Sequence, residues 1–184
     1  PAACANPTVF RVGRFLENLQ SALRALNTSD PAVRALTVIR QLGYAVYLFL
    51  DMFLAAHGTK LYVFEKETHT RISKTAQRAW AIALSASLIN GGYSSYKLLQ
   101  RQRLAQRPRA TAEKEAERRV ELKQISTEAL GVRLQMLQDL CDWLVATTSL
   151  GYLGLNDGWV GIAGVVSSSL GVRTQWIKAN GAKK

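Results

Sequence analysis

The sequence has few of the residues on which most catalytic and metal sites depend. Its 184 residues include only two cysteines, two histidines and four prolines. Cys4 and Cys141 lie far apart in no metal or redox spacing, and neither His57 nor His69 has a ligand-type neighbour. Glycine-rich phosphate loops and the HExxH and GxSxG motifs are also absent. We therefore expect no enzyme, no catalytic residue, no cofactor and no metal.

Acidic residues are scarce relative to basic ones. Thirteen acidic residues stand against 24 basic ones, which gives a formal net charge of +11 at pH 7. This excess predicts an anionic partner, and the absence of a recognisable nucleic-acid-binding fold favours a lipid surface over nucleic acid. A hydrophobic content of 48% excludes a disordered chain. The chain begins at Pro1 rather than at a methionine, so we expect that further residues precede it in the natural protein.

Residues 9–27 carry the pattern of an amphipathic helix. Large apolar residues recur there at gaps of three and four, which places them on one helical face. The face consists of Val9, Val12, Phe15, Leu16, Leu19, Leu23 and Leu26. It either packs inside a helical bundle or lies in the headgroup zone of a membrane, sunk by about 5–10 Å. In the second case, we expect Arg11, Arg14 and Arg24 to contact anionic lipid headgroups.

Three further helices are predicted in the middle of the chain. Residues 31–56 form an apolar helix, residues 75–106 an apolar then basic one and residues 111–144 a charged then amphipathic one, with a polar linker over 57–74. The uncharged run Leu42–Leu50 is shorter than the roughly 20 apolar residues of a membrane span, so the 31–56 helix is predicted to be buried or interfacial. The uncharged stretch 79–96 is near the lower limit for a span, and either crosses a bilayer or packs within a bundle.

The C-terminal region contains a regular series of small residues. They are Gly151, Gly154, Gly158, Gly161, Gly164, Ser168 and Gly171. Gaps of three and four place them on one ridge of a helix. In water each glycine would cost a helix about 1 kcal/mol relative to alanine, whereas in a membrane small residues let helices approach closely. We therefore predict a Gly-rich membrane segment over 145–178; the alternative is a set of glycine turns between short buried strands.

Two arrangements of this segment are open. Asn156-Asp157-Gly158 is a strong turn triplet. Either a tilted span runs from about 158 to 176, or a helical hairpin turns at the triplet. The glycines then pack against another helix of the chain or against the same segment of a second copy, which would give a homo-oligomer. The basic residues that follow Trp176 favour a cytosolic C-terminus.

These elements predict an all-α fold. A single domain over 1–184 forms a membrane-associated helical bundle, with an N-terminal amphipathic helix and the Gly-rich C-terminal membrane segment.

Several short blocks resemble the peroxin-11 family of peroxisomal membrane proteins, and they occur in that family's order. The blocks are Arg40–Tyr44, Leu48–Asp51, Arg78–Trp80, Gln138–Trp143, Ser149–Gly151 and Leu155–Gly158. The helix from Thr8 to Asn27 resembles the family's membrane-active amphipathic helix, although it carries three Arg and no Lys and is less positive than the strongest membrane benders. The resemblance covers nearly the whole chain.

The resemblance implies a role in peroxisome elongation, fission and proliferation. The implied mechanism is insertion of the amphipathic helix together with self-association, and the implied partners are anionic membrane lipids, further copies of the chain and the organelle fission machinery. The implied location is the peroxisomal membrane. The alternative is a membrane channel for small solutes, because a pore has been proposed for some members; Asp142 and Asp157 are then candidates to line it.

Overall fold

A computed structural model describes residues 7–106 and 112–181, and within these ranges the chain is helical with no strand. The helices are α1 (Pro7–Ala25), α2 (Pro31–Gly58), α3 (Lys66–Ala105), α4 (Ala112–Ser149) and α5 (Asp157–Gly181). The prediction of an all-α fold is confirmed. The alternative of glycine turns between short strands is wrong for the described C-terminal region.

The largest differences from the predicted boundaries lie at the start of α3 and the end of α4. The linker predicted over 57–74 is confined to residues 59–65, because α3 already begins at Lys66. The first turns of α3 are polar on all sides and so lack an apolar face, but the i,i+4 pair Glu67–Arg71, at 2.6 Å, supports them as a helix. α4 was predicted to end at 144 but continues to Ser149.

The break predicted at Asn156-Asp157-Gly158 is confirmed. The Asn156 side-chain oxygen accepts hydrogen bonds from the backbone N–H groups of Gly158, at 2.8 Å, and Trp159, at 3.4 Å. Asn156 therefore caps the N-terminus of α5. On the α4 side, Gly151 adopts a φ of +78°, in the left-handed region that glycine occupies without strain.

The helices pack in series and do not surround one central core. Within the described part of the chain, α1 contacts α2, α2 contacts α3, α3 contacts α4 and α4 contacts α5. The chain exposes 12920 Å², whereas a compact soluble protein of 20.3 kDa would expose about 8,800 Å². Much apolar helix surface is therefore left uncovered by the chain itself.

The contact between α2 and α3 depends on a glycine. A Cβ atom on Gly43 would lie 2.8 Å from Cβ of Ala83 and 3.0 Å from the backbone oxygen of Ala79. Ala83 is fully buried. Gly43 thus lets α3 lie directly against the backbone of α2, the packing that small residues permit between membrane helices.

The connection between α1 and α2 is tied to α3. Asp30 caps α2 by accepting hydrogen bonds from the N–H groups of Ala32, at 2.9 Å, and Val33, at 3.4 Å. The same carboxylate pairs with Lys97 and accepts a hydrogen bond from the Tyr93 hydroxyl at 3.1 Å. The Lys97 ammonium is the main reason why the pKa of Asp30 is lowered to about 2. Tyr93 and Lys97 of α3 thereby hold the turn between α1 and α2, which lets α1 pack alongside α2.

Substitution of Gly43 tests the close α2–α3 contact. Gly43→Ala should lower the free energy of unfolding by about 1–3 kcal/mol, because the added methyl overpacks a site walled by backbone and Ala83. Gly92→Ala is the matched control, since its Cβ meets nothing within 4 Å; it should be neutral or stabilise α3 by up to about 1 kcal/mol. Chemical denaturation in detergent micelles measures both. Equal effects of the two substitutions would contradict the contact.

Candidate membrane-contacting surface

The apolar face of α1 is divided between a packed side and an exposed side. Phe15 and Leu19 are half-buried against α2, and the ring of Phe15 lies 5.7 Å from that of Phe49. Leu16 and Leu23 are exposed by 52% and 66%, and Leu26, directly after the last residue of α1, is exposed by 52%. Val9, Arg11 and Val12 belong to α1, but their side chains lie outside the described part of the structure. One face of α1 therefore supplies both a helix contact and an uncovered apolar row.

Small side chains bring α1 close to α2. Ala22 and Ala25 are buried between the helices. Beside them, the two helices border two adjoining open depressions of about 250 and 310 Å³, both lined only by apolar side chains. The depressions share Leu19 and Leu42, so they form one continuous apolar groove, which we call the α1–α2 groove.

α2 carries an exposed apolar stripe of its own. It consists of Ile39, Leu42, Val46, Phe49 and Phe53, each exposed by 41–47%. Their gaps of three, four, three and four place them on one helical face. Leu42, Val46 and Phe49 also line the α1–α2 groove, so this stripe and the exposed row of α1 form a single apolar surface.

The described helix that is best suited to span a membrane is α2, and not the Gly-rich segment that the sequence patterns predicted. Within residues 7–106 and 112–181, α2 is the one helix long and apolar enough to cross a membrane, by length and composition alone. The prediction for α2 counted only the run between Arg40 and Asp51, but the apolar character of this 28-residue helix continues beyond both charges. α5 does not meet the same criterion, because glycines and serines dilute its apolar residues. Its entry into a membrane stays a prediction.

Arg14 and Arg24 are the two predicted lipid-contacting arginines whose side chains the structure describes. Arg14 and Arg24 of α1 are both exposed. Arg14 also borders an open groove of about 620 Å³ whose other walls include Gln138 of α4 and Trp176 of α5. The guanidinium groups are thus free to reach the phosphate level when the apolar row faces lipid.

The glycine ridge is not one helical ridge. Gly151 and Gly154 lie in the 150–156 connection and not on a helix, so this part of the prediction is wrong. The other predicted packing glycines, Gly158, Gly161, Gly164 and Gly171, lie on α5. A Cβ on Gly161 or Gly164 would meet nothing within 4 Å, whereas one on Gly171 would lie 3.6 Å from Gln138 of α4.

α5 packs on α4 through other small side chains. Ala163 and Ser167 are buried in this contact, and the Ser167 hydroxyl donates a hydrogen bond to the Asp142 carboxylate. Burial raises the pKa of Asp142, and the nearby charge of Asp139 adds to the effect. The side of α5 that faces away from this contact carries Ile162 and Val165, exposed by 56% and 68%, and Trp159, Val172 and Trp176 are also exposed by more than half.

Several polar side chains of α3 and α4 meet in the contact between the two helices. Asp139, only 2% exposed, accepts hydrogen bonds from the Ser87 hydroxyl and from the Gln135 amide at 2.8 Å. One turn away, the Trp143 indole donates to the Ser85 hydroxyl at 3.0 Å. These bonds join α3 to α4 and satisfy groups that would be costly to leave unpaired.

A polar cavity adjoins these bonds. It measures about 240 Å³ and is bordered by residues of α2, α3 and α4, among them Arg40, Asn90 and Asp139. The Arg40 Nε and Asn90 Oδ1 atoms are shielded from solvent and have no hydrogen-bond partner in the protein.

Sequence patterns predicted neither this cavity nor the roles of Gly43 and Gly91, the glycines at the α2–α3 and α3–α4 contacts. The one local signal was Ala79 and Ala83, small residues four apart on α3.

The fold and surface define a class. Helices packed in series, with polar hydrogen bonds between them and regular apolar stripes outside, characterise an all-α protein that works in contact with a membrane.

Comparison with known proteins gives the family. Residues 8–176 match the family described as peroxisomal biogenesis factor 11 (PEX11), so the chain belongs to the PEX11 family, as the resemblance of its sequence blocks predicted. It is 25% identical to the peroxisomal membrane protein PMP27 of Saccharomyces cerevisiae, over 92% of this chain and 75% of that protein. It is 26% identical to the peroxisomal membrane protein PMP30B of Candida boidinii, over 89% of this chain and 71% of that protein. No solved structure matches the chain.

Proposed function

We propose that this PEX11-family protein resides in the peroxisomal membrane and promotes peroxisome elongation and fission by inserting the surface shared by α1 and α2 into one leaflet. The names of its relatives support the location. The observation that carries the mechanism is the continuity of the exposed row of α1 with the α2 stripe across the α1–α2 groove. In this proposal, α1 acts while packed on α2.

The physical effect is an imbalance between the leaflets. An apolar helical surface sunk about 5–10 Å below the headgroups adds area to one leaflet only, so the membrane curves. Arg14 and Arg24 strengthen the contact on anionic lipid by about 1 kcal/mol each. The exposed leucines Leu16, Leu23 and Leu26 supply the larger, apolar part of the free energy of insertion.

Leu23→Glu tests this surface. Burying a leucine is worth about 1.5–3 kcal/mol, so the substitution should raise the protein-to-lipid ratio needed to tubulate anionic vesicles by about tenfold or more. Because Leu23 is 66% exposed, helicity should not change. Gln124→Glu, at an exposed position on α4, adds the same single negative charge and should leave tubulation unchanged. Electron microscopy of reconstituted vesicles provides the measurement, and normal tubulation by Leu23→Glu would refute the mechanism.

We further propose that copies of the chain associate through the outward side of α5. Gly161 lies on this side with open space at its Cβ position, and the apolar side chains beside it are exposed. A second α5 packed there would concentrate inserted surfaces on one membrane patch.

The basic residues after Trp176 favour a cytosolic C-terminus, which would lie on the same side of the membrane as the fission machinery. Protease protection of intact organelles tests this orientation.

Gly161→Leu separates this association from folding. The larger side chain should block close approach of two α5 helices and reduce chemically crosslinked dimer severalfold. Gly154→Leu is the matched control, because Gly154 also has open space at its Cβ position but lies in the 150–156 connection. Dimer yields that are the same for both variants would argue against association through α5.

The polar cavity supports a second candidate function, a channel for small solutes. Arg40 and Asp139 would set the charge of a path between α2, α3 and α4. Asp139→Asn should then change the ion selectivity of purified protein in planar bilayers, whereas Asp157→Asn, at the exposed start of α5, should not. A silent bilayer would rule the channel out.

A further inference from the structure

The connection between α2 and α3 presents an apolar tip that the proposed function does not use. Leu61, Tyr62 and Val63 are consecutive and exposed by 80%, 63% and 68%. Leu61 is the most exposed of the large hydrophobic side chains in the described part of the chain. Three such neighbours held in water are unfavourable, and a patch of this kind marks an interaction site.

Hydrogen bonds to α2 hold this tip in shape. The N–H groups of Leu61 and Tyr62 donate to the backbone oxygen of Ala56, at 3.1 and 3.4 Å. Lys60 adopts a positive φ of 58°, which turns the chain sharply after the helix. The three apolar side chains are therefore displayed by an ordered backbone.

His57 of α2 binds the backbone at the end of the tip. His57 Nδ1 accepts a hydrogen bond from the Phe64 N–H at 3.0 Å. An imidazole accepts at Nδ1 only in its neutral form, with the proton on Nε2. The His57 ring lies 6.1 Å from the Phe64 ring and 4.5 Å from the His69 ring, so α3 also supports this contact. His57 is thus a positioning residue for the tip.

The tip continues the apolar stripe of α2. Phe53, the last member of that stripe, lies 6.4 Å from Phe64, and Phe64 lies 4.7 Å from Tyr62, measured between ring centroids. A surface that faces lipid along α2 therefore extends without a polar gap to the tip.

The charges around the tip match a lipid headgroup layer. Lys60 and Lys66 flank the apolar residues and are exposed. Of the two acidic neighbours, Glu67 is paired with Arg71 at 2.6 Å, which leaves Glu65 between the lysines. Apolar side chains below the phosphates with ammonium groups at phosphate level are typical of interfacial anchors, and tyrosine is enriched at that depth.

We propose that residues 60–66 form a second membrane anchor, in which Leu61, Tyr62 and Val63 enter the interfacial zone of the bilayer and Lys60 and Lys66 contact lipid phosphates. This anchor requires that the protein contacts a membrane, as in the proposed function, but it does not require α1 to insert or the membrane to bend. It lies at the end of α2 remote from the α1–α2 turn.

Depth measurements on the full chain test the anchor. In a Cys4→Ser/Cys141→Ser background, Val63→Cys is labelled with an environment-sensitive dye and reconstituted with vesicles of phosphatidylcholine and phosphatidylserine. The dye should shift to the blue and be quenched by brominated lipid at interfacial depth. The same dye at Glu117→Cys, an exposed charged position on α4, should stay aqueous.

A third label, at Leu23→Cys, separates this proposal from the proposed function. An aqueous dye at position 63 together with an immersed dye at position 23 would overturn the second anchor and leave α1 insertion standing. The reverse result would support the anchor and contradict α1 insertion.

Four further variants keep the test independent of folding. With the dye at position 63, Leu61→Ser should lower the equilibrium constant for tip insertion by about tenfold, and Lys60→Gln by about fivefold on anionic vesicles only. His57→Phe should reduce immersion, whereas His57→Asn, whose side-chain oxygen replaces the Nδ1 acceptor, should restore it. Equal immersion in all of these variants would refute the roles assigned to the tip and to His57.

Discussion

The close approach of α2 to α3 is the constraint on which the rest of this structure depends. Gly43 against Ala83 lets one side of α2 be covered by a single neighbouring helix. The other side is then free to carry α1 and an exposed apolar stripe. If α2 stood further from α3, Tyr93 and Lys97 could not reach Asp30, and the turn that directs α1 along α2 would lose its support.

The arrangement places polar bonds between helices and apolar surface outside. Asp139 with Ser87 joins α3 to α4, and Asp142 with Ser167 joins α4 to α5. Such bonds hold helices together where lipid removes the hydrophobic drive for their association. Serial packing exposes far more area than a compact soluble protein of this mass would. We expect lipid or another copy of the chain to cover that area.

Periodicity predicted the all-α fold and the apolar face of α1, and a turn triplet predicted the break before α5, since each signal lies within a short stretch of sequence. It could not predict how the face of α1 is shared: Phe15 packs on Phe49 while Leu23 stays exposed, and this depends on residues in another helix. Gly43 was missed for the same reason, because its partners lie about 40 positions away along the chain. The polar start of α3 was missed because a helix end exposed on all sides has no periodic signal.

The central claim is that α1 and α2 insert as one packed unit. It is tested most directly by linking them covalently, with a short bifunctional reagent, through Phe15→Cys and Phe49→Cys in a background without the native cysteines. The two rings lie 5.7 Å apart, so the link should form without moving either helix. The linked protein is predicted to tubulate anionic vesicles as well as the unlinked one. If linking abolished tubulation, and cutting a cleavable linker restored it, α1 would have to leave α2 to act.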